Sequence, residues 1–313
     1  MSAMIGLDIG GTKIAAGLVD EAGTLLAKNQ LPTPSDDPGD IIAVCASLVA
    51  ELTSETTAAG IGVGAAGFVD DTRSVVRFAP NLAWTNEPLK EKLEDATGLP
   101  VVVENDANAA AWAEFRFGAA KDAQNAVIVT VGTGIGGGVV VDGKMIRGMA
   151  GFAGEIGHLT VKRFGRRCGC GKFGCWERYA SGRALVHEAQ EIAQYDLPRA
   201  GRLLELAGGG AMKITGLHVS QAAEEGDPAA LECFDIVGTW LGVGMADLAA
   251  VLDSESFVLA GGVSKAGELL RAPAERALLQ NLTARAHRPS PQVVLAELGN
   301  DAGIIGAADL ARV

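Results

Sequence analysis

A histidine and three cysteines gather in one stretch: Glu155-Ile156-Gly157-His158 is followed, after a short loop, by Cys168-Gly169-Cys170-Gly171-Lys172-Phe173-Gly174-Cys175. One imidazole and three thiolates form a closed tetrahedral donor set for zinc. The interleaved glycines let the chain wrap around one ion. A redox-silent metal would order a loop that has little apolar core of its own. Four protein ligands leave no open position for water, so a structural Zn²⁺ held by His158, Cys168, Cys170 and Cys175 is expected. The alternative is a set of free cysteines. Glu155 and Glu177 flank the cluster. Paired carboxylates can grip vicinal hydroxyls, whereas a single Glu ordinarily serves as solvated surface charge.

A second candidate is Glu104-Asn105-Asp106-Ala107-Asn108, which follows an apolar run and opens an alanine-rich segment. In open α/β sheets, ligands collect at the carboxyl ends of strands. Asp106 there can take a proton from an alcohol that attacks a phosphoryl group. The competing reading is a helix N-cap, a position that favours Asp.

Glycine marks three further places. Asp8-Ile9-Gly10-Gly11-Thr12-Lys13 joins two predicted strands. Its glycines can bring backbone N–H groups close to an anion, with Thr12 and Lys13 adding a hydroxyl and a charge, and Asp8 can hold hydrated Mg²⁺. It is neither a Walker loop nor a Rossmann fingerprint, since no helix follows the glycines directly; a type I′ or II′ hairpin turn is the alternative. Thr130 to Gly138 carries five glycines in nine residues, more than a hairpin needs, and close approach of a phosphate chain accounts for the excess. Gly132, Thr133, Gly134 and Gly136 are its candidate contacts. Gly261 and Gly262, between a strand and a helix, are placed to meet a nucleoside. Three glycine sites together favour a nucleotide.

The elements that would position these residues alternate, which favours an α/β fold. Strands are predicted over 4–9, 14–19, 24–31, 60–65, 101–103, 126–131, 138–141, 256–260 and 293–296. Helices are predicted over 41–52, 88–96, 107–117, 227–252, 265–282 and 302–311. Sliding the chain by 122 residues lays Gly10 on Gly132, Leu18 on Val140, Val19 on Val141 and Asp20 on Asp142. Each copy reads strand, glycine turn, strand, Asp turn, which suggests a duplicated two-lobed fold.

Composition excludes several classes. The 313 residues are 48% hydrophobic and 20% charged, as in a globular protein with a sizeable core. No apolar run reaches the ~18 to 20 residues of a membrane span, and the first residues lack a secretory pattern, so a cytoplasmic protein with no membrane partner is expected. A formal net charge of −12 without a basic stripe argues against nucleic acid. Cys45 and Cys233 stand alone in helix-like apolar segments, and five cysteines do not read as a disulfide framework.

Taken together these motifs are similar to those of the ROK family of bacterial sugar kinases and repressors, most closely its actinobacterial-type glucokinases. The resemblance runs from D-I-G-G-T-K at 8–13 through E-N-D-A-N at 104–108, V-G-T-G-I-G-G-G at 131–138, E-I-G-H at 155–158, C-G-C-G-K-F-G-C-W-E at 168–177 and L-A-G-G-V at 259–263. It implies an actin-like (ribonuclease H-like) ATPase fold with two lobes and a central cleft. The smaller lobe would be 1–118, completed by a C-terminal helix at 300–313, and the larger lobe 119–299 would carry the zinc loop. It implies ATP and Mg²⁺, with Asp106 as general base and a hexose acceptor, glucose foremost. The sugar would be held by Gly67, Asn81, Asn105, Asp106, Glu155, His158 and Glu177. His158 would turn one ring nitrogen to zinc and the other to the sugar. The loop reads G-A-A-G at 64–67, where many relatives have a proline before the second glycine.

Fructose, mannose and N-acetylmannosamine are the alternative acceptors, because hydroxyl geometry in the pocket decides among them. Family repressors carry a DNA-binding helix-turn-helix ahead of the kinase-like body. Here the first phosphate strand begins at Met4 and Asp106 is intact, so an enzyme is expected. A homodimer or homotetramer is implied by the resemblance alone.

Overall fold

The computed structural model describes residues 3–34, 38–79, 82 and 84–312. The chain divides into two compact units: Met1–Gln124 with Gly138–Gly154 and Glu297–Val313, and Asn125–Gly137 with Glu155–Ala296.

In the first unit, β1 (Ala3–Ile9), β2 (Lys13–Val19) and β3 (Leu25–Pro32) form an antiparallel meander. α1 (Pro38–Leu52) leads to β4 (Ala58–Ala65), which pairs parallel with β1. Three short strands follow, β5 (Phe68–Val69), β6 (Val76–Ala79) and β7 (Trp84–Glu87), and make a separate small sheet. α2 (Leu89–Thr97) returns the chain to β8 (Val101–Asn105), parallel to β4, and α3 (Asp106–Phe117) leaves it directly. The five-stranded order is β3-β2-β1-β4-β8. One face of the central strands carries Ile5, Leu7, Ile9, Ile61 and Val63, all fully buried, and the opposite face carries the buried glycines Gly6 and Gly62.

The chain then continues through β9 (Ala126–Val131), β10 (Ile135–Val141) and β11 (Lys144–Met145). Four helices precede the long one: α4 (Glu177–Ala180), α5 (Gly182–Tyr195), α6 (Gly201–Leu206) and α7 (Gly216–Glu224). α8 (Pro228–Leu252), β12 (Ser256–Ala260), α9 (Glu268–Asn281) and β13 (Gln292–Leu295) complete the second sheet region. Its strand order is β11-β10-β9-β12-β13, the same path as in the first sheet. The 122-residue offset lays β2, Lys13–Val19, on β10, Ile135–Val141, so the sequence echo is a real duplication of topology.

The last helix, α10 (Ala302–Leu310), belongs to the first unit and packs on α3, β1 and β4. Gly6 and Gly62 make this possible: a Cβ on either would overlap the carbonyl oxygen of Ile304 or Ala307. The helix backbone therefore lies directly on the sheet.

Several expectations change. The predicted helix 265–282 is interrupted, because Gly267 takes φ +61 between a 3-10 turn at Val263–Ala266 and α9. Residues 68–87 and 177–224 hold strands and helices that the apolar pattern did not single out. By length and composition α8 is apolar enough to cross a membrane, contrary to the expectation that no segment is. Its apolar residues are spread among glycines and alanines, so no unbroken run is visible. Half of its most apolar window is buried inside the protein, against α9, α5, α7 and α4. Cys45 and Cys233 are buried free thiols, both pushed up to about 12, burial being the main cause. That leaves them chemically quiet.

Candidate active site

The first unit contributes a turn and a strand end. The Gly10-to-Lys13 turn closes with the N–H of Gly10 donating to the carbonyl of Lys13 at 3.0 Å. Gly11, Thr12 and Lys13 are exposed. None of these residues has positive φ, so the turn is not the primed hairpin type that was the alternative. Asp8, at the end of β1, has its carboxyl raised by burial, while Lys13 and Lys28 pull it the other way. A partly buried carboxylate whose charged form burial disfavours suits a hydrated divalent cation, because Mg²⁺ is commonly held by one or two carboxylates plus phosphate oxygens.

At the end of β8 the capping question resolves. Asn105, not Asp106, is the N-cap of α3: its Oδ1 accepts the N–H of Asn108 at 3.0 Å. Asp106 is the first helical residue. The Asn105 side-chain amide donates to the carbonyl of Gly67 and to Oδ1 of Asp106, both at 3.1 Å. The structure thus brings Gly67, Asn105 and Asp106 together. Gly67 itself lies tight on β6, where a Cβ would come 2.7 Å from the carbonyl oxygen of Phe78. Asn81 lies outside the described residues.

The second unit holds a cavity of about 640 Å³, within the usual size for a small-molecule site. Gly132, Thr133 and Gly262 line it, as does the start of α5 at Gly182 and Arg183. Ser181 caps that helix, its Oγ accepting from the N–H of Ala184 at 3.3 Å. A helix N-terminus and an arginine beside glycine backbone make an anion site, while Leu185, Val186 and Leu217 give an apolar wall suited to a base. ATP fits this donor set and shape. Gly261 does not line the cavity. It sits at φ +89 against Val131 and turns the chain so that Gly262 does.

Other predicted phosphate glycines have different surroundings. Gly134 faces Glu177, whose Oε2 would be 2.5 Å from an added Cβ. Gly136 is a half-buried residue within β10. Gly137 and Gly138, part of the same run, are glycines because Ile156 and Ala111 pack on them. Packing inside the protein therefore accounts for part of the glycine excess.

The zinc set is assembled as expected. The ligand atoms of His158, Cys168, Cys170 and Cys175 lie within 4.8 Å of one another. Cys170 and Cys175 sulfurs are 3.6 Å apart, and His158 Nδ1 is 3.7 Å from the Cys168 sulfur. A tetrahedron with Zn–S bonds of ~2.3 Å has edges of about 3.7 Å, so the cluster fits the ion. The knuckle is built by backbone bonds, Cys168 N–H to Lys172 O at 2.8 Å and Gly171 N–H to Cys168 O at 3.1 Å. Buried Trp176 anchors it by donating from Nε1 to the carbonyl of Trp240 on α8 at 2.7 Å.

His158 turns Nδ1 to the sulfurs and Nε2 toward Glu155, whose carboxylate is 3.9 Å away. That is too long for a direct hydrogen bond. The Glu155 carboxyl lies above its ordinary range, through desolvation, with His158 opposing and Glu177 adding to the shift. Glu177 opens α4 and accepts from the Cys168 thiol at 3.0 Å. Glu155, His158 and Glu177 therefore share one neighbourhood beside the metal cluster.

Sequence reasoning missed the cavity residues on α5 and α7, and the partners of Glu104 described below. Ser181-Gly182 ahead of an amphipathic helix, and Thr215 with its capping box to His218, were the available signals.

The ROK family description matches residues 4–313. The chain is 47% identical over 312 residues to a glucokinase of Streptomyces coelicolor, covering 100% of this chain and 98% of that one. It is 34% identical over 312 residues to an N-acetylmannosamine kinase of Citrobacter koseri, covering 98% of each. Among solved structures, a ROK family glucokinase from Streptomyces griseus in complex with glucose and AMPPNP superposes with a TM-score of 0.88 at 48% identity, over 99% of each chain.

Proposed function

The chain belongs to the ROK family, and on that premise we propose that it is a glucokinase that transfers a phosphoryl group from ATP to the 6-hydroxyl of glucose, with Asp106 as general base. One observation carries the base assignment. Asn105 does the capping at α3, and its side-chain amide donates to Oδ1 of Asp106, which orients that carboxylate at the end of a strand. Asp106 would take the proton of the acceptor hydroxyl, and Asn105 would fix the direction from which it does so. Gly67, Glu155, His158 and Glu177 would orient the sugar hydroxyls, the carboxylates accepting and the imidazole Nε2 providing a fixed partner. Gly132, Thr133, Gly262 and the α5 N-terminus would bind the triphosphate end of the nucleotide, and Asp8 the hydrated Mg²⁺.

When bound, ATP and Mg²⁺ supply the transferable group and neutralise its charge, and zinc holds the loop bearing His158 and Glu177. The reading includes a cytoplasmic homodimer or homotetramer that binds no nucleic acid. Its support is the family resemblance and the net charge of −12.

Asp106→Asn tests the mechanism. Folding and ATP binding should persist while kcat falls by about 10²- to 10⁴-fold. Near-normal turnover would move the base elsewhere. Glucose should give the highest kcat/KM in a panel with fructose, mannose and N-acetylmannosamine, and a preference for any other sugar would overturn the substrate assignment.

A further inference from the structure

Glu104 is the penultimate residue of β8 and only 3% exposed, yet it makes four polar contacts. Its Oε1 accepts the N–H of Asn105 at 3.1 Å and the side-chain amide of Asn108 at 3.0 Å. Its Oε2 accepts Nε–H of Arg147 at 2.7 Å and lies 3.8 Å from Nε of Arg73. Arg147 comes from the segment after β11. Arg73 comes from the β5–β6 turn, where it donates to the carbonyl of Leu310 at 2.8 Å and accepts from the N–H of Val103 at 3.0 Å. All belong to the first unit.

A buried carboxylate costs several kcal/mol unless it is well paired, and apolar residues of similar size often hold a fold as well or better. Stability alone therefore does not explain an ion pair here. What it adds is direction. Both protein groups on Oε1 lead to Asp106: Asn108 donates its N–H to Asn105 Oδ1, and Asn105 donates from Nδ2 to Asp106 Oδ1. The plane of the Asn105 amide is fixed at both ends, by the helix cap and by Gly67.

We propose that Glu104 and Arg147 are positioning residues for the phosphoryl-transfer base, the ion pair of buried Glu104 with partly buried Arg147 holding the Asn105–Asn108 cap so that the Asp106 carboxylate points at the acceptor hydroxyl. This rests on the reading of Asp106 as base. Misplacing a reacting group by about 1 Å can cost ~10²-fold in rate, so a partial loosening should be visible in kcat.

The experiment is a double-mutant cycle between Arg147→Lys and Asp106→Asn, followed by glucose-dependent turnover. Lysine keeps a positive charge beside Glu104 but loses the planar donor fork, so the fold keeps a compensated carboxylate. Rates are referred to folded enzyme by nucleotide-binding stoichiometry, with thermal melting in parallel. Arg147→Lys should lower kcat about tenfold, change KM for glucose and ATP less than about threefold, and lower the residual kcat of Asp106→Asn less than about twofold. Glu104→Gln, which retains a carbonyl acceptor for Asn105 and Asn108, should behave in the same way. An equal fractional loss in both backgrounds, or kcat within twofold of wild type in both variants, overturns the proposal while leaving the base intact. A fully active Asp106→Asn overturns the base assignment, and the positioning role with it.

Discussion

Gly132 and Gly262 separate a ligand's requirement for glycine from the fold's. Both line the 640 Å³ cavity, and a Cβ built on either meets nothing within 4 Å. Neither has a positive φ, and Gly262 is in the right-handed helical region at φ −65 and ψ −36. The protein without nucleotide should therefore accept alanine at both positions. Restricting the unfolded chain should stabilise each variant by about 0.4 to 1 kcal/mol, or roughly 1 to 3 °C for a chain of this size. The nucleotide should not accept it. A methyl group that holds a phosphate oxygen off a backbone N–H forfeits a charge-assisted hydrogen bond worth about 1.5 to 3 kcal/mol, or about 10- to 100-fold in affinity. Calorimetric titration with a non-hydrolysable ATP analogue reads this directly, and the KM for ATP should rise in step. Gly261→Ala supplies the contrast: its φ is +89 and its Cβ would come 2.6 Å from the Val131 carbonyl oxygen. It should lose about 1 to 3 kcal/mol of stability before any question of binding arises. Unchanged nucleotide affinity in both Gly132→Ala and Gly262→Ala would refute the placement of the phosphates.

Two further perturbations follow from the loops. Elemental analysis should find about one zinc per chain, and Cys175→Ser should lose it with a fall of several degrees in melting temperature, because ligand binding contributes directly to folding in such sites; a metal-free native protein would exclude the structural role. Asp70, nearly buried in the β5–β6 turn, has its carboxyl held below the ordinary range: burial pushes it up, but the N–H groups of Ser74 and Val75, the Thr72 hydroxyl and Arg77 outweigh that. A lowered folded-state value means this stabilisation is complete above the unfolded carboxylate range and fades as pH falls through the lowered value. Asp70→Asn should thus cost about 1 to 3 kcal/mol at pH 7, with the gap to wild type closing below about pH 4; a gap that stays constant on acidification would refute it.

The long elements were legible because their burial is written in residue type. β1, β4, β9 and β12 lie at the centres of their sheets and read as apolar runs bounded by glycine or by turns. β5, β6 and β7 have two to four residues each, too few for a period to show. The helix expected at 265–282 breaks at a glycine whose positive φ no apolar pattern reports. At the site, the cysteine cluster was readable because its spacing alone nearly closes a coordination sphere. The helix expected over 107–117 begins one residue earlier, at Asp106, because Asn105 and Asp106 are both good caps and only the Asn105–Asn108 hydrogen bond decides between them. Arg147 lies 43 positions from Glu104, so no local pattern could join them.

The internal echo shows what such signals do and do not carry. Offset by 122 residues, the β1–β2 and β9–β10 segments end and begin their strands at matching positions and share sheet order, so the repeated sequence encodes a scaffold. The turns within them have diverged in surroundings. Gly10 to Lys13 presents exposed backbone with a lysine, whereas Gly132 borders a cavity and accepts the N–H of Gly182 at 2.8 Å at the start of α5. Nothing in the turn residues themselves announces that difference. It is created by a helix entering from about fifty residues downstream. A glycine motif therefore marks where a backbone can approach something, and the partner must be sought in whatever the fold brings to face it.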